Sequence, residues 1–460
     1  MSQQFVGPMR VEELLNKFIF CHLSARDAET IPEVDLTDVP HGIAVETEMY
    51  DAFCDALNNR GVCGTQYVLK NVSSMMRSRM GTDERTNAPD VMLLLKSLIK
   101  NGEIPEEAWA HCQVYLDLKP QSCSGAFSDD EGEPLESSSS TDGSETRTQL
   151  TDFAAALMSC QQRCFVFIIQ ICGKRARILR WGRSGCIVSE SFDFHENPHH
   201  LAAFFYGYSK LNPEHQGHDP TAKFATAQQE RLLREAINRF VQDSKMEVTV
   251  GAGENEFELI IRKPFFDARC ACGHSTRVDA AFDPERRKLL CLKDSWRSME
   301  GGNQSEKDIY SHLCASDIPH IAENIFIDDV KYIPRMSQET IANEPPEYVI
   351  QRTLTQELSA PAQDVPGWRK GCKPLREPVH CRLVQAPAFP LRLAKNSKEM
   401  VTAIRNAIEC PYKAWDVKTY HRDVSPDSIL IDPNSGGFLN DWDHAKNYSD
   451  NSIRRHTPFR

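Results

Sequence analysis

The chain alternates between stretches whose apolar residues recur at helical spacing and short apolar runs with strand character. Arg10–Phe20 reads as an amphipathic helix near the start. A stronger helix signal covers Glu46–Leu57, where Met49, Phe53, Ala56 and Leu57 share one face. Val91–Ile99 is a long apolar stretch, and Val114–Leu118 alternates as a strand does. Phe153–Gln161 is again helical and precedes three strand-like runs, Cys164–Ile171, Ala176–Trp181 and Cys186–Phe192. Gly173 and Lys174 break the first pair and Gly182–Gly185 the second, so the runs predict a meander. Gln228–Phe240 carries a further helix signal, and no internal repeat is present.

One segment departs from this pattern. Ser122–Arg147 is rich in Ser, Asp, Glu and Gly, includes the run Ser137–Ser140, and nearly lacks large apolar residues. Such a composition buries too little surface to offset the entropy of ordering. It predicts a disordered acidic linker over 122–148. The expected layout is an N-terminal α/β region at 1–121, a meander with helices completing that domain at 149–255, and a second domain at 256–460.

Composition narrows the functional classes. A chain of 460 residues has length for two or three cores, and its 40% hydrophobic and 26% charged content is ordinary for a water-soluble protein. A net charge of -12 disfavours a polyanionic partner, so nucleic acid is not an expected ligand. The first ten residues lack the basic-then-apolar order of a leader, and no apolar run approaches the ~18 residues of a membrane span. The 16 cysteines, scattered from Cys21 to Cys410, then read as reduced thiols of an intracellular protein, in cytoplasm or nucleus. Cys270-x-Cys272-x-His274 and Cys160-x-x-x-Cys164 lack a second ligand pair and read as ordinary cysteines.

The last 200 or so residues carry chemistry. Phosphoryl transfer requires held phosphates, a held metal and an oriented hydroxyl, and protein kinases supply these in a fixed order. Leu290-Cys291-Leu292-Lys293 is an apolar strand ending in lysine. Thirteen residues on, Glu306 opens a helix signal with Ile309, Tyr310 and Leu313 on one face, and is the expected ion-pair partner of Lys293, with Glu300 as the alternative. His421-Arg422-Asp423 follows a helix signal (Lys398–Ile408) and precedes the strand Ile429–Ile431. Asp423 stands where the base would accept the hydroxyl proton. Ser428 occupies the position of a metal-binding asparagine, and Asp441 that of the metal-binding aspartate.

These motifs resemble the fungal-type protein kinase family. The marks are Leu292-Lys293-Asp294-Ser295-Trp296-Arg297, His421-Arg422-Asp423-Val424-Ser425, and Asp441-Trp442-Asp443, with Trp and Asp where most kinases carry Phe and Gly. Arg180-Trp181-Gly182-Arg183-Ser184-Gly185 and Ser191-Phe192-Asp193-Phe194 match earlier parts, and Gly273-His274-Ser275-Thr276-Arg277 falls at the phosphate loop. The resemblance spans roughly Val45 to Tyr448. It implies an α+β fold, with a kinase-like domain (the N-lobe and the start of the C-lobe) behind an α/β domain. It also implies ATP and Mg2+ as cofactors and phosphoryl transfer to Ser or Thr of a protein substrate. Lys293 and Gly273 would hold the nucleotide, Glu306 would position Lys293, Asp423 would orient the acceptor, and Asp441 with Ser428 would bind metal.

The chain departs from the family pattern at several points. Ser428 replaces Asn, the phosphate loop has the single glycine Gly273, Gly182 replaces an Asp, and Cys410–Tyr420 looks short. Nineteen residues follow Asp441, without an Ala-Pro-Glu motif. The expectation is a domain cut short, with an exposed apolar underside. A non-catalytic pseudokinase acting as an interaction module is therefore the alternative. A third reading rests on Pro89-Asp90 and Asp117-Leu118-Lys119, which match the PD-(D/E)xK nuclease signature, with Glu48 as a further ligand.

Overall fold

The computed structural model describes residues 4–43, 45–73, 90–104, 108–119, 126–130, 135–136, 141–237, 246–252, 256–261, 266–267, 270–273, 275–298, 304–335, 347–353, 355, 375, 377–432, 434 and 436–448. Its first sheet holds β1 (Phe5–Met9), β2 (Tyr67–Asn71), β3 (Val91–Leu95), β4 (Val114–Lys119), β5 (Phe165–Cys172), β6 (Arg175–Gly182), β7 (Gly185–Ser189) and β8 (Phe192–Asp193). The order is β1-β7-β6-β5-β4-β3-β2, with β8 against β6. β1 runs parallel to β7 and β4 parallel to β5, and the other pairs are antiparallel.

Helices cover both faces. α1 (Val11–Phe18), α2 (Glu46–Asn59) and α4 (His199–Lys210) share one core with Val114, Leu116 and Leu118 of β4, while α3 (Thr141–Cys160) shares the other with Tyr115. Double coverage explains why β5 is apolar on both faces apart from Gln170. α1 forms because Val11, Leu14, Leu15 and Phe18 recur on one stripe, which is buried. The β5–β6 hairpin closes on Gly173, whose φ of 60° is left-handed and suits glycine.

The acidic segment differs from expectation. α3 starts at Thr141, inside the stretch read as disordered, and Ala126, Phe127 and Leu135 are buried. Phe127 meets the ring of Phe5 at 5.0 Å, and Asp129 pairs with Arg177 at 2.7 Å. A few anchoring residues outweigh an average polar composition. Cys172 is also an exception, being disulfide-bonded, whereas the other described cysteines form no disulfide.

The second sheet holds β9 (Ala222–Phe224), β10 (Met246–Val250), β11 (Phe257–Ile261), β12 (Phe266–Asp267), β13 (Arg277–Asp283), β14 (Lys288–Ser298), β15 (Asn324–Asp329) and, after the pair β16 (Lys331–Tyr332) and β17 (Val349–Ile350), β18 (Pro378–Gln385). Its order is β15-β18-β14-β13-β11-β10-β9, with β12 against β13, and all its pairs are antiparallel. α5 (Ala227–Ile237) packs on β11 and α6 (Glu306–Ala315) beside β15. Ser305 and Asp308 form a capping box that fixes where α6 begins.

The remaining elements are β19 (Phe389–Pro390), α7 (Ser397–Asp416), β20 (Thr419–Tyr420), β21 (Ile429–Ile431), β22 (Gly437–Leu439) and β23 (Lys446–Asn447). Ala403, Ala407, Cys410 and Ala414 give α7 a buried small-residue stripe. β22 lies so close that a Cβ on Gly437 would come within 2.2 Å of the Ala403 backbone. The opposite side of α7 exposes Val401, Ile408, Tyr412 and Trp415.

A buried polar clasp ties the second sheet to the segment ahead of β9. Arg382 of β18 donates to Asp219 at 2.6 Å, Asp294 at 3.1 Å, Thr221 at 2.7 Å and the Thr249 carbonyl at 2.8 Å. His380 bonds both Asp294 and Gln351 and stacks on Trp296 at 4.5 Å. Burial alone would raise the Asp294 carboxyl, but His380 and Arg382 hold it below the ordinary range.

Candidate active site

Lys293 lies mid-strand on β14, where its register partners Val278 and Leu383 enclose it, and it is 5% exposed. Its Nζ meets Glu306 Oε2 at 3.2 Å, Asp441 Oδ1 at 2.7 Å and Asp443 Oδ2 at 2.8 Å. One ammonium therefore faces three carboxylates. Burial opposes charge on Lys293, but Asp443, Glu306 and Asp441 push its ammonium well above the usual range. Burial pushes Glu306 up against the pull of Lys293, and Asp443 adds to the rise.

Backbone geometry gathers these groups. Asp441 has φ 64° and ψ 60°, a left-handed turn that swings Asp443 back toward Lys293. The Trp442 amide donates to Glu306 Oε1 at 3.2 Å, and the Trp442 ring is fully buried against His421. Asn440 is fixed by Tyr310 at 3.0 Å and Gln385 at 3.0 Å, and its carbonyl bonds His421 Nε2 at 2.8 Å. The Asp423 amide in turn donates to His421 Nδ1 at 3.3 Å. Asp423 itself is exposed, and no hydrogen bond occupies its carboxylate among the described residues.

Lys293, Glu306 and Asp441 thus meet as the sequence suggests, and Asp423 hangs from the same frame. Two other residues are placed differently. The Ser428 hydroxyl accepts from the Ser425 amide at 2.9 Å and lies 2.9 Å from the Ser425 carbonyl and 3.3 Å from the Asp423 carbonyl. It braces the loop instead of turning to the carboxylates. The Gly273 amide donates to the Arg183 carbonyl at 3.0 Å, because Ala271 and Cys272 anchor that stretch in the core of the first sheet. That amide is committed away from Lys293. Glu300 and His274 lie outside the described residues. Asp443 had no assigned role in the sequence reading; an acid where a glycine is usual was the available signal.

In the first sheet, Asp90 and Asp117 come together. Asp90 Oδ2 accepts from the Leu118 amide at 2.9 Å, and Lys119 Nζ lies 3.5 Å from Asp117 Oδ1. Burial, with Asp117 adding to it, pushes the Asp90 carboxyl up to about 7. Glu48 is exposed on α2, and no contact ties it to the pair among the described residues.

The model of the fungal protein kinase family matches residues 131–458. The chain belongs to that family. The family match takes in β5 onward and leaves β1 to β4 outside it. Among solved structures, the chain is similar to the ROP18 kinase domain in complex with AMP-PNP and sucrose. The identity is 14% and the TM-score 0.27, over 50% of this chain and 63% of that one. The chain therefore spans less than two thirds of that neighbour. No curated protein matches. No helix of the described residues is long and apolar enough to cross a membrane.

Proposed function

We propose that the chain binds ATP with Mg2+ and transfers the terminal phosphoryl group to a Ser or Thr hydroxyl of a protein. The observation that carries this is the excess of carboxylates over Lys293. Glu306, Asp441 and Asp443 offer oxygens within 4.8 Å of one another, a donor set that fits a hard divalent cation. When bound, such an ion neutralises charge on the phosphoryl oxygens. Lys293 holds the phosphates, and Glu306 keeps Lys293 in place. Asp441 and Asp443 are the metal ligands, Asp443 serving where Ser428 is engaged with its own loop. The exposed Asp423 accepts the proton of the acceptor hydroxyl. The test is transfer of labelled phosphate from ATP to a protein substrate or to the chain itself, with Asp423→Asn as control. Signal from the wild type that the variant lacks supports the proposal.

Ser428 favours a second reading, a nucleotide-binding module without transfer. It predicts that ATP with Mg2+ raises the unfolding midpoint while no phosphate is incorporated. The meeting of Asp90, Asp117 and Lys119 favours a separate metal-dependent nuclease reading for the first sheet. Manganese-dependent DNA cleavage that survives Asp117→Ala would dismiss it.

A further inference from the structure

Arg180 sits on β6 in the middle of the first sheet and is 3% exposed. Its Nε and Nη1 find no hydrogen-bond partner, and no carboxylate pairs with it among the described residues. Its guanidinium lies over the rings of Phe165 at 3.9 Å and Phe18 at 4.6 Å. Ring faces attract a cation, but they do not satisfy N–H donors. Buried charges in proteins are normally paired, and an exception calls for a missing partner. The charge is costly enough that burial pushes the guanidinium down to about 9.

The same guanidinium lines a cavity of about 460 Å³ between the first sheet with α1 and the β16–β17 pair. Its polar lining includes Lys17, Arg352, which pairs with Glu377 at 2.9 Å, and the imidazoles of His22, His215 and His218, each pushed below the ordinary range by burial. His22 and His215 stack at 3.7 Å. Burial, then His215 and Arg180, push His22 down to about 4, so it is neutral near pH 7 and able to donate from one ring nitrogen. Glu214 is the one acid in the lining. Its amide partner is Arg335 at 3.2 Å, and its carboxyl is pushed up by burial with no contribution from Arg180. The mouth carries the exposed Lys17, Pro220 and Arg352, so a solute has a way in.

We propose that this cavity binds a phosphomonoester of a small molecule, with Arg180 as the anchor. A planar guanidinium with open donors matches phosphate oxygens in a fork. Of the surrounding imidazoles, His22 and His215 can each add one N–H, whereas His218 Nε2 already lies 3.1 Å from Gln113 Oε1. The volume also exceeds what one phosphate fills and leaves room for an organic body against Phe18, Phe165 and Tyr332. The site is separate from the Lys293 cluster and does not depend on the kinase reading.

The experiment titrates inorganic phosphate and phosphoserine into the full-length protein without divalent cation, where the three carboxylates around Lys293 repel an anion. Binding is read by calorimetry and by the unfolding midpoint. The expected result is that both probes bind and that phosphoserine binds more tightly. Arg180→Met is expected to abolish that binding while leaving the ligand-free midpoint unchanged or higher, because a lone buried charge is gone. His22→Ala, closer to the mouth, is expected to weaken binding about tenfold, the loss of roughly one charge-assisted hydrogen bond. Failure of both probes to bind overturns the proposal. So does unchanged binding in Arg180→Met and His22→Ala, or a large fall in the ligand-free midpoint of Arg180→Met, which would make Arg180 a structural cation held by its two rings.

Discussion

Two buried charge clusters stand on neighbouring parts of the second sheet, and they are built on opposite rules. In the clasp, Arg382 and His380 face Asp219 and Asp294, each acid meets a donor, and the group is closed by Thr221, Gln351 and a carbonyl. At Lys293, one cation faces Glu306, Asp441 and Asp443. A balanced cluster holds a protein together. An unbalanced one is tolerated where a ligand supplies the missing charge. The contrast separates residues that fasten the second sheet to the segment ahead of β9 from residues available for chemistry.

The largest effect that would break this comparison is on rate. Asp423→Asn should lower phosphate transfer by about 10²–10⁴-fold, the usual share of a general base, while leaving the unfolding midpoint unchanged. A large stability loss instead would make Asp423 a structural acid. Next comes Arg382→Met, which strands two buried carboxylates and should cost about 3–5 kcal/mol in urea unfolding. A loss under about 1 kcal/mol would remove the clasp from its fastening role.

The sharper test uses opposite signs. Asp443→Asn takes one acid from a crowded set. It should raise the metal-free midpoint by about 2–4 °C, as relief of roughly 1 kcal/mol does in a domain of this size. It should also weaken Mg2+ binding about tenfold, since ligand charge sets affinity. A lowered metal-free midpoint would show that Asp443 is needed to hold Lys293.

The smallest effect is in pH. Asp219 and Asp294 have folded values below the ordinary carboxylate range, so their contribution is complete above about pH 4 and fades as the pH falls further. Glu306 is shifted upward, so protonation favours the folded form and stability rises as pH drops from neutral toward the ordinary glutamate range. Thermal midpoints against pH should therefore climb slightly and then fall. Glu306→Gln should reduce the climb without touching the fall, the remainder of the climb coming from Asp90, and Asp294→Asn should alter the fall alone.

Much of the kinase cluster was legible because its members sit inside local patterns. Lys293 follows the apolar run Leu290-Cys291-Leu292 within β14, Glu306 opens an amphipathic helix behind Ser305, and His421 to Asp423 lie between a helix and a strand. The meander of β5 to β7 was legible for the same reason. The clasp was not, because Asp219 and Arg382 are 163 residues apart and neither stands in a recognisable spacing. Arg180 reads as one position of a motif, and only the absence of a facing acid makes it unusual. The acidic segment misled because Ala126, Phe127 and Leu135 are few, yet their burial decides where that stretch lies. Ser428 and Gly273 stood at motif positions, but their hydrogen bonds run to a neighbouring turn and to the other sheet.

The point where the family match begins has a practical consequence for anyone dissecting the molecule. Residue 131 falls between β4 and β5, which are hydrogen-bonded to each other through six register pairs from Val114↔Phe167 to Lys119↔Cys172. The inherited unit and the mechanical unit are therefore cut along different lines. A shortened chain starting at 131 would bare the long apolar edge of β5 along its whole length. It would be expected to stick to copies of itself before any assay could be run. Recombinant work on the kinase half should carry the first 130 residues with it.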